Sequence, residues 1–194
     1  MMRLVIVGNG ASVLCNKNGK FIDECDHVIR INKWPGKGYE EYIGKKRDIY
    51  CSWNGRYNRC NVDFLSTFNE FWVMENKNDF NTYNVSVEVL QYLHQKQTHY
   101  LSEIDIVNLK NEINYDGPAM PSTGFCAIYK CLELYSNADI YITGFDSYIK
   151  SGWFWDVSGP RAAAAAGGGR EGHPFLKEYS CLKKYIKSGK IKQL

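Results

Sequence analysis

The chain opens M-M-R-L-V-I-V-G-N-G, and the short run from Arg3 to Val7, mostly apolar and β-branched, reads as the first strand and stops at Gly8-Asn9-Gly10. Residues apolar at every position, rather than at every second one, suit a strand buried on both faces, as in a parallel sheet covered by helices. The Gly-Asn-Gly stop reads as a tight strand-to-helix turn. Its glycines let the backbone approach a ligand, and the Asn9 amide can both donate and accept.

Similar runs recur at 27–31, 47–53, 70–74 and 139–143, the last ending in Gly144. Phe125, Ile128, Leu132 and Tyr135 fall at helical spacing, as do Phe175, Tyr179, Leu182 and Ile186. Strands alternating with amphipathic helices predict an α/β fold, a single Rossmann-like domain over 1–194 with a mainly parallel sheet flanked by helices. Residues 76–115 are less patterned, with helices expected at 87–94 and 101–109.

A net charge of +3 gives no reason to expect a nucleic acid partner. No apolar stretch approaches the roughly 20 residues of a membrane-spanning helix. The start lacks the charged lead and cleavage site of a secretory signal, so a cytoplasmic protein is expected. Seven cysteines, an odd number with no C-x-x-C pair, read as reduced structural thiols.

Ligands of an open parallel sheet bind at the carboxyl ends of its strands. Three motifs belong there. Gly8, Asn9 and Gly10 form the first; Val13 stands where a dinucleotide fingerprint needs its third glycine, and no acid ends the second strand, which disfavours a nicotinamide oxidoreductase. The second is P-A-M-P-S-T-G-F-C-A at 118–127, where Ser122 and Thr123 are natural caps and Gly124 opens the backbone at a helix N-terminus suited to phosphate. The third is G-H-P-F-L-K-E at 172–178. Pro174 at the first helical position would push His173 out of the helix toward the ligand edge. There the positive helix end disfavours imidazolium, leaving His173 able to accept a proton.

Glu178 lies five residues after His173, about 140° around a helix, so the two do not make the same-face geometry of a metal site. With no D-x-D, no closely spaced histidine pair and no cysteine cluster, neither metal nor cofactor is expected. Asn54 follows the third strand on the same edge. Arg56 and Arg59 beside Tyr57 read as solvated loop charges, and His27, His94 and His99 as ordinary histidines.

Together these motifs resemble the animal-type sialyltransferases, which share large, small, third and very-small sialylmotifs. The large motif is visible in LVIVGNGASVLCNKNGKFIDECDHVIRINKWPGKGYEEYIGKKRDIY, the small one in PSTGFCAIYKCLELYSNADIYITGFD, and the very-small one, H-x4-E, in His173 and Glu178. The third motif resembles Trp153, Phe154, Trp155 and Asp156, with Trp153 where a histidine is usual. Tyr148, just after Gly144-Phe145-Asp146, is the substitute candidate for that histidine's role toward the leaving phosphate. Leu4, and Tyr135 or Ser136, stand near the positions of the family's disulfide cysteines, so that bridge is not expected.

The resemblance implies an inverting, metal-independent transfer of sialic acid from CMP-sialic acid to a sugar hydroxyl, with His173 as general base and Glu178 in support. Gly8, Asn9, Gly10, Asn32, Asn54, Ser122, Thr123, Gly124 and Trp155 are the implied nucleotide and donor contacts. The implied acceptor is a glycan with a terminal galactose-type sugar, such as a bacterial surface polysaccharide or lipooligosaccharide, served by elements within 76–115. Two alternatives stay open: transfer of another CMP-activated acidic sugar such as Kdo, and an inactive nucleotide- or glycan-binding relative. Residues 159–172, including an Ala/Gly run at 162–169 with no side chain able to bind or catalyse, are expected to be a mobile or engineered lid loop. The basic C-terminal segment is a candidate for peripheral membrane contact.

Overall fold

The computed structural model describes residues 1–74, 84–146, 153–154 and 173–194. Seven strands, β1 (Arg3–Val7), β2 (His27–Ile31), β3 (Ile49–Ser52), β4 (Glu70–Val73), β5 (Gln97–Tyr100), β6 (Asp139–Thr143) and β7 (Lys192–Gln193), form one sheet in the order β5-β4-β3-β2-β1-β6-β7. All of its pairs are parallel. Helices α1 (Gly19–Asp23), α2 (Glu40–Ile43), α3 (Asn54–Tyr57), α4 (Val62–Leu65), α5 (Val87–His94), α6 (Glu103–Glu112), α7 (Thr123–Leu134) and α8 (Phe175–Lys187) flank it, with a 3-10 turn at Ala11–Cys15.

The unbroken apolar run of β1 follows from burial on both faces. Leu4 and Ile6 enter a core with Ile29, Ile49, Trp72, Phe125, Ile128 and Leu182, beneath α6, α7 and α8. Val5 and Val7 point the other way and pack with Val28, Ile22 and Ile43 beneath α1 and α2. Farther along that second face, Tyr50, Phe71 and Val73 meet Tyr57, Leu65, Val89 and Leu93 of α3, α4 and α5.

The one charged residue inside β2 also has a structural reason. Arg30 is fully buried, and its guanidinium donates to Ile43 O (2.7 Å) and twice to Lys46 O (3.0 and 2.6 Å). It stacks on Trp34, 4.5 Å from the ring centroid. Burial pushes its pKa down to about 9, and the three bonds to carbonyls keep the cation tolerable while they hold the chain after α2 against the sheet.

β1, β2 and β6 occupy the residues their apolar runs predict, and α5 fills 87–94 as expected. β3 and β4 are shorter than predicted, and the helix expected at 101–109 runs from Glu103 to Glu112 instead. Pro174 precedes α8 as its cap residue rather than opening it. β5 and β7 were not expected. β5 reads Q-T-H-Y, without apolar alternation, and exists through pairing with β4, helped by His99 Nε2 at 3.2 Å from Glu70 Oε1. β7 is two exposed residues anchored by the buried Ile191.

From β1 the sheet grows one way through β2 to β5 and the other way through β6 to β7, so the β1/β6 crevice is the switch point where ligands of such sheets bind. Two glycines shape it. A Cβ on Gly8 would lie 2.4 Å from Gly144 O, and one on Gly144, at φ +72°, would lie 2.6 Å from Gly8 O. Gly144→Ala should therefore destabilise the fold by roughly 3 kcal/mol, combining left-handed strain with a backbone clash. Gly38 shares the positive φ but has nothing within 4 Å of its would-be Cβ. Gly38→Ala should cost only about 1 kcal/mol, both variants being measured by urea titration.

Candidate functional site

The rim of the crevice is built from the strand exits. Gly8 N donates to Thr143 O (2.8 Å) and Gly10 N to Gly144 O (2.9 Å), fastening the turn after β1 to the end of β6. Asn9 is buried and its Nδ2 donates to Ile31 O at 2.9 Å, fastening the same turn to the end of β2. Its Oδ1 is also buried and has no partner among the described residues, so an acceptor is held ready beside the crevice. Asn32, next along β2, takes a left-handed φ of +53°, a conformation asparagine tolerates, and accepts from Ser52 Oγ at 2.8 Å.

Gly10 caps the 3-10 turn, and Asp146 beyond β6 supplies the carboxylate, accepting from Ser12 N at 2.9 Å. A side chain at position 10 would collide with that carboxylate, 2.3 Å from a Cβ. The first two third-motif residues lie on the same turn: Trp153 bridges Gly10, and Phe154 N donates to Asn9 O at 3.1 Å. The Phe154 ring is buried, edge-on to Tyr39 at 5.0 Å. Trp153, the departure from the family's histidine, thus stands beside the Gly-Asn-Gly loop.

The other wall is the start of α7. Ser122 is its cap, with Oγ accepting from Phe125 N at 3.2 Å, and Thr123 and Gly124 are its first two residues. A Cβ on Gly124 would lie 2.8 Å from the Phe145 ring and 3.6 Å from Ile31 Cδ1, which places the helix start against the exits of β6 and β2.

Glu178 reaches this wall from α8. Its carboxylate accepts from Ser122 N and from Ser122 Oγ, both at 2.6 Å. Both of these Ser122 donors are therefore engaged by protein, while the N–H groups of Thr123 and Gly124 have no acceptor within the helix. Burial pushes the Glu178 carboxyl above the usual glutamate range, opposed by the two Ser122 donors and by His173.

His173 Nδ1 lies 2.7 Å from Met120 O, and its ring is edge-on to Phe175 at 5.4 Å between centroids. One carbonyl and one carboxylate thus tie the start of α8 to the residues around the α7 cap.

The structure brings Gly8, Asn9, Gly10 and Asn32 together at one rim, and Ser122, Thr123, Gly124, Glu178 and His173 together at the facing wall. Asn54 opens α3 just past β3. Tyr148, Trp155 and the lid at 159–172 lie outside the described residues. Sequence reasoning left four participants without a role: Asp146, Ser52, Arg30 and the Met120 carbonyl. Asp146 had a signal, an acid just after the Gly144 turn; the others depend on contacts across 13 to 53 residues. Among the described residues, no three His, Cys, Asp or Glu side chains gather as a metal site.

A parallel sheet whose switch point is lined by a glycine turn, a capped helix start and a wall of a half-buried histidine and a buried glutamate belongs to the Rossmann-like α/β class. More narrowly, the chain belongs to glycosyltransferase family 29 (sialyltransferase), whose model matches residues 1–190. Over 48 residues it is 50% identical to the rat CMP-N-acetylneuraminate-beta-1,4-galactoside alpha-2,3-sialyltransferase and 48% identical to the human protein of that name. Those residues are 24% of this chain and only 13% of the rat protein, so the match spans far less than two thirds of the curated relative. A mammalian sialyltransferase crystal structure shares the fold over 100% of this chain and 68% of its own, with a TM-score of 0.69 at 18% identity. A second such structure holds Gal-beta-1-3GalNAc-ortho-nitrophenol.

The Glu178–Ser122 clamp is testable as a double-mutant cycle in urea. Glu178→Ala and Ser122→Ala should each destabilise by about 2 kcal/mol and couple by more than about 1 kcal/mol, because either change strands the partner's buried polar atoms. The pH dependence has a defined sign. A carboxyl whose pKa is raised by folding contributes most below about pH 4 and loses that contribution as pH rises through the folded value. Relative to Glu178→Gln, the wild type should lose melting temperature from about pH 4 toward neutrality.

Proposed function

We propose that this chain transfers a sialic acid from CMP-sialic acid to a sugar hydroxyl by an inverting displacement that needs no metal. The observation that carries the reading is the bond from His173 to Met120 O. A carbonyl only accepts, so Nδ1 holds the ring proton and Nε2 of the neutral imidazole is left as the acceptor. In the reaction, Nε2 takes the acceptor hydroxyl proton as that oxygen attacks the anomeric carbon. The bond from that carbon to the phosphate oxygen breaks, and CMP leaves with the electron pair. The nearby Glu178 carboxylate, where ionised, offsets the charge on the imidazolium.

Asn9 and Asn32 are assigned to the cytidine nucleotide, beside Gly8 and Gly10, where the backbone leaves room. The Thr123 and Gly124 amides are assigned to the donor's phosphate, with Ser122 holding the helix start in place through Glu178. Asn54 and Trp155 complete the donor contacts, and Tyr148 takes the role toward the leaving phosphate that Trp153 cannot. Family membership supports the donor. The curated relatives' names specify a β-galactoside, and one solved relative holds a galactose-terminated disaccharide, which together support a terminal galactose acceptor.

His173→Ala should lower turnover by about 10²- to 10⁴-fold while the thermal shift given by CMP is retained. Unchanged turnover would overturn the assignment of the base. Activity should survive EDTA. Turnover of CMP-Kdo in place of CMP-sialic acid would move the reading to another acidic sugar.

A further inference from the structure

α8 buries one face and leaves the other to solvent. Glu178, Cys181, Leu182 and Tyr185 face inward, while Leu176, Lys177, Ser180, Lys183, Lys184 and Lys187 are exposed. Lys190 follows the helix, whereas Lys192 of β7 lies over Tyr141, whose ring packs with the core on the sheet's other face. From His173 to the end of the chain there are six lysines and a single acid, Glu178, which is buried. That segment carries more positive charge than the whole chain's net +3, so the remainder is net negative.

Two acids from neighbouring elements come near this segment without pairing with the exposed lysines of α8. Asp139 of β6 pairs with Lys192 at 2.7 Å, and Glu112 of α6 lies by Cys181 and Tyr185. Among the described residues, no carboxylate forms an ion pair with Lys177, Lys183, Lys184 or Lys187. The Lys183 ammonium lies 4.4 Å over the Tyr179 ring, so its stem follows the protein surface while the charge stays outward.

We propose that this outward face of α8 docks on an anionic phospholipid bilayer. From Leu176 to Lys187 the row is about 16 Å long at 1.5 Å per residue, too long for one phosphate group to neutralise. Leu176, 60% exposed at the end of the helix next to His173, favours a partner that offers hydrocarbon as well as negative charge. A lipid surface has both. Since His173 precedes α8 and Glu178 pins that helix to Ser122, a bilayer along α8 would set the candidate site at the membrane surface, within reach of an acceptor carried on lipid.

The test is co-flotation of the full chain with vesicles of phosphatidylcholine alone and of phosphatidylcholine mixed with phosphatidylserine. The wild type should float only with the mixed vesicles and be released by high salt. Each lysine near such a surface contributes roughly fivefold in partitioning, so the triple variant Lys183→Gln/Lys184→Gln/Lys187→Gln should lose on the order of 100-fold. Leu176→Ser should weaken binding further without changing the melting temperature. Equal binding to both vesicle types, unchanged binding by the triple variant, or retention on heparin or RNA without vesicle binding would each overturn the proposal. Vesicle binding is read without turnover, and turnover on a soluble acceptor should be unchanged in the triple variant, so failure here and failure of the transferase reading are separate results.

Discussion

Where β1 and β6 leave the sheet, the backbones of Gly8 and Gly144 approach so closely that a Cβ on either would meet the other's carbonyl within 2.6 Å. The crevice follows from that approach. It lets Gly10 bond to Gly144 and brings Asp146 onto Ser12. It also sets Phe145 under Gly124, so the start of α7 rests on the exits of β6 and β2. Only with α7 seated there can Glu178 reach Ser122 and His173 reach Met120. A bulkier pair of residues would part the two strand exits and separate the walls that carry the polar groups.

Electrostatically, the site differs from a simple helix-end cradle. The 3-10 turn after β1 is met by Asp146, and the start of α7 by Glu178. Protein carboxylates thus occupy donors that an anionic ligand would otherwise use. In the proposed reaction, two backbone amides at the start of α7 remain for the donor's phosphate, while the orphan Asn9 oxygen is left to accept from an N–H or O–H of the nucleotide beside Asn32. Buried positive charge has a different task, since Arg30 spends its bonds on the carbonyls of Ile43 and Lys46.

Much of the fold was legible because burial writes itself into periodicity. An unbroken apolar run marks β1, and a stripe at helical spacing marks α7 and α8. β5 and β7 were illegible for the converse reason: Q-T-H-Y and K-Q have no apolar signal, and they are strands only because β4 and β6 offer unpaired edges. The same divide runs through the site. Asn9, Asn32, Ser122, His173 and Glu178 could be picked out by residue type, motif and local position. What Glu178 does could not, because its partner is 56 residues away in sequence.

By itself, then, the sequence determined a parallel α/β sheet, a glycine turn after its first strand, a serine-capped helix and a histidine just before the last helix. These are local properties, set by backbone freedom, capping chemistry and side-chain period. Only the tertiary structure decided that Ser122 hands both donors to Glu178, that Met120 holds the proton on His173 Nδ1, and that Lys177, Lys183, Lys184 and Lys187 end on the outward face of the chain's last helix. Each of those depends on which surfaces the packed sheet brings face to face and which it leaves in water, and such pairings exist only once the core has formed.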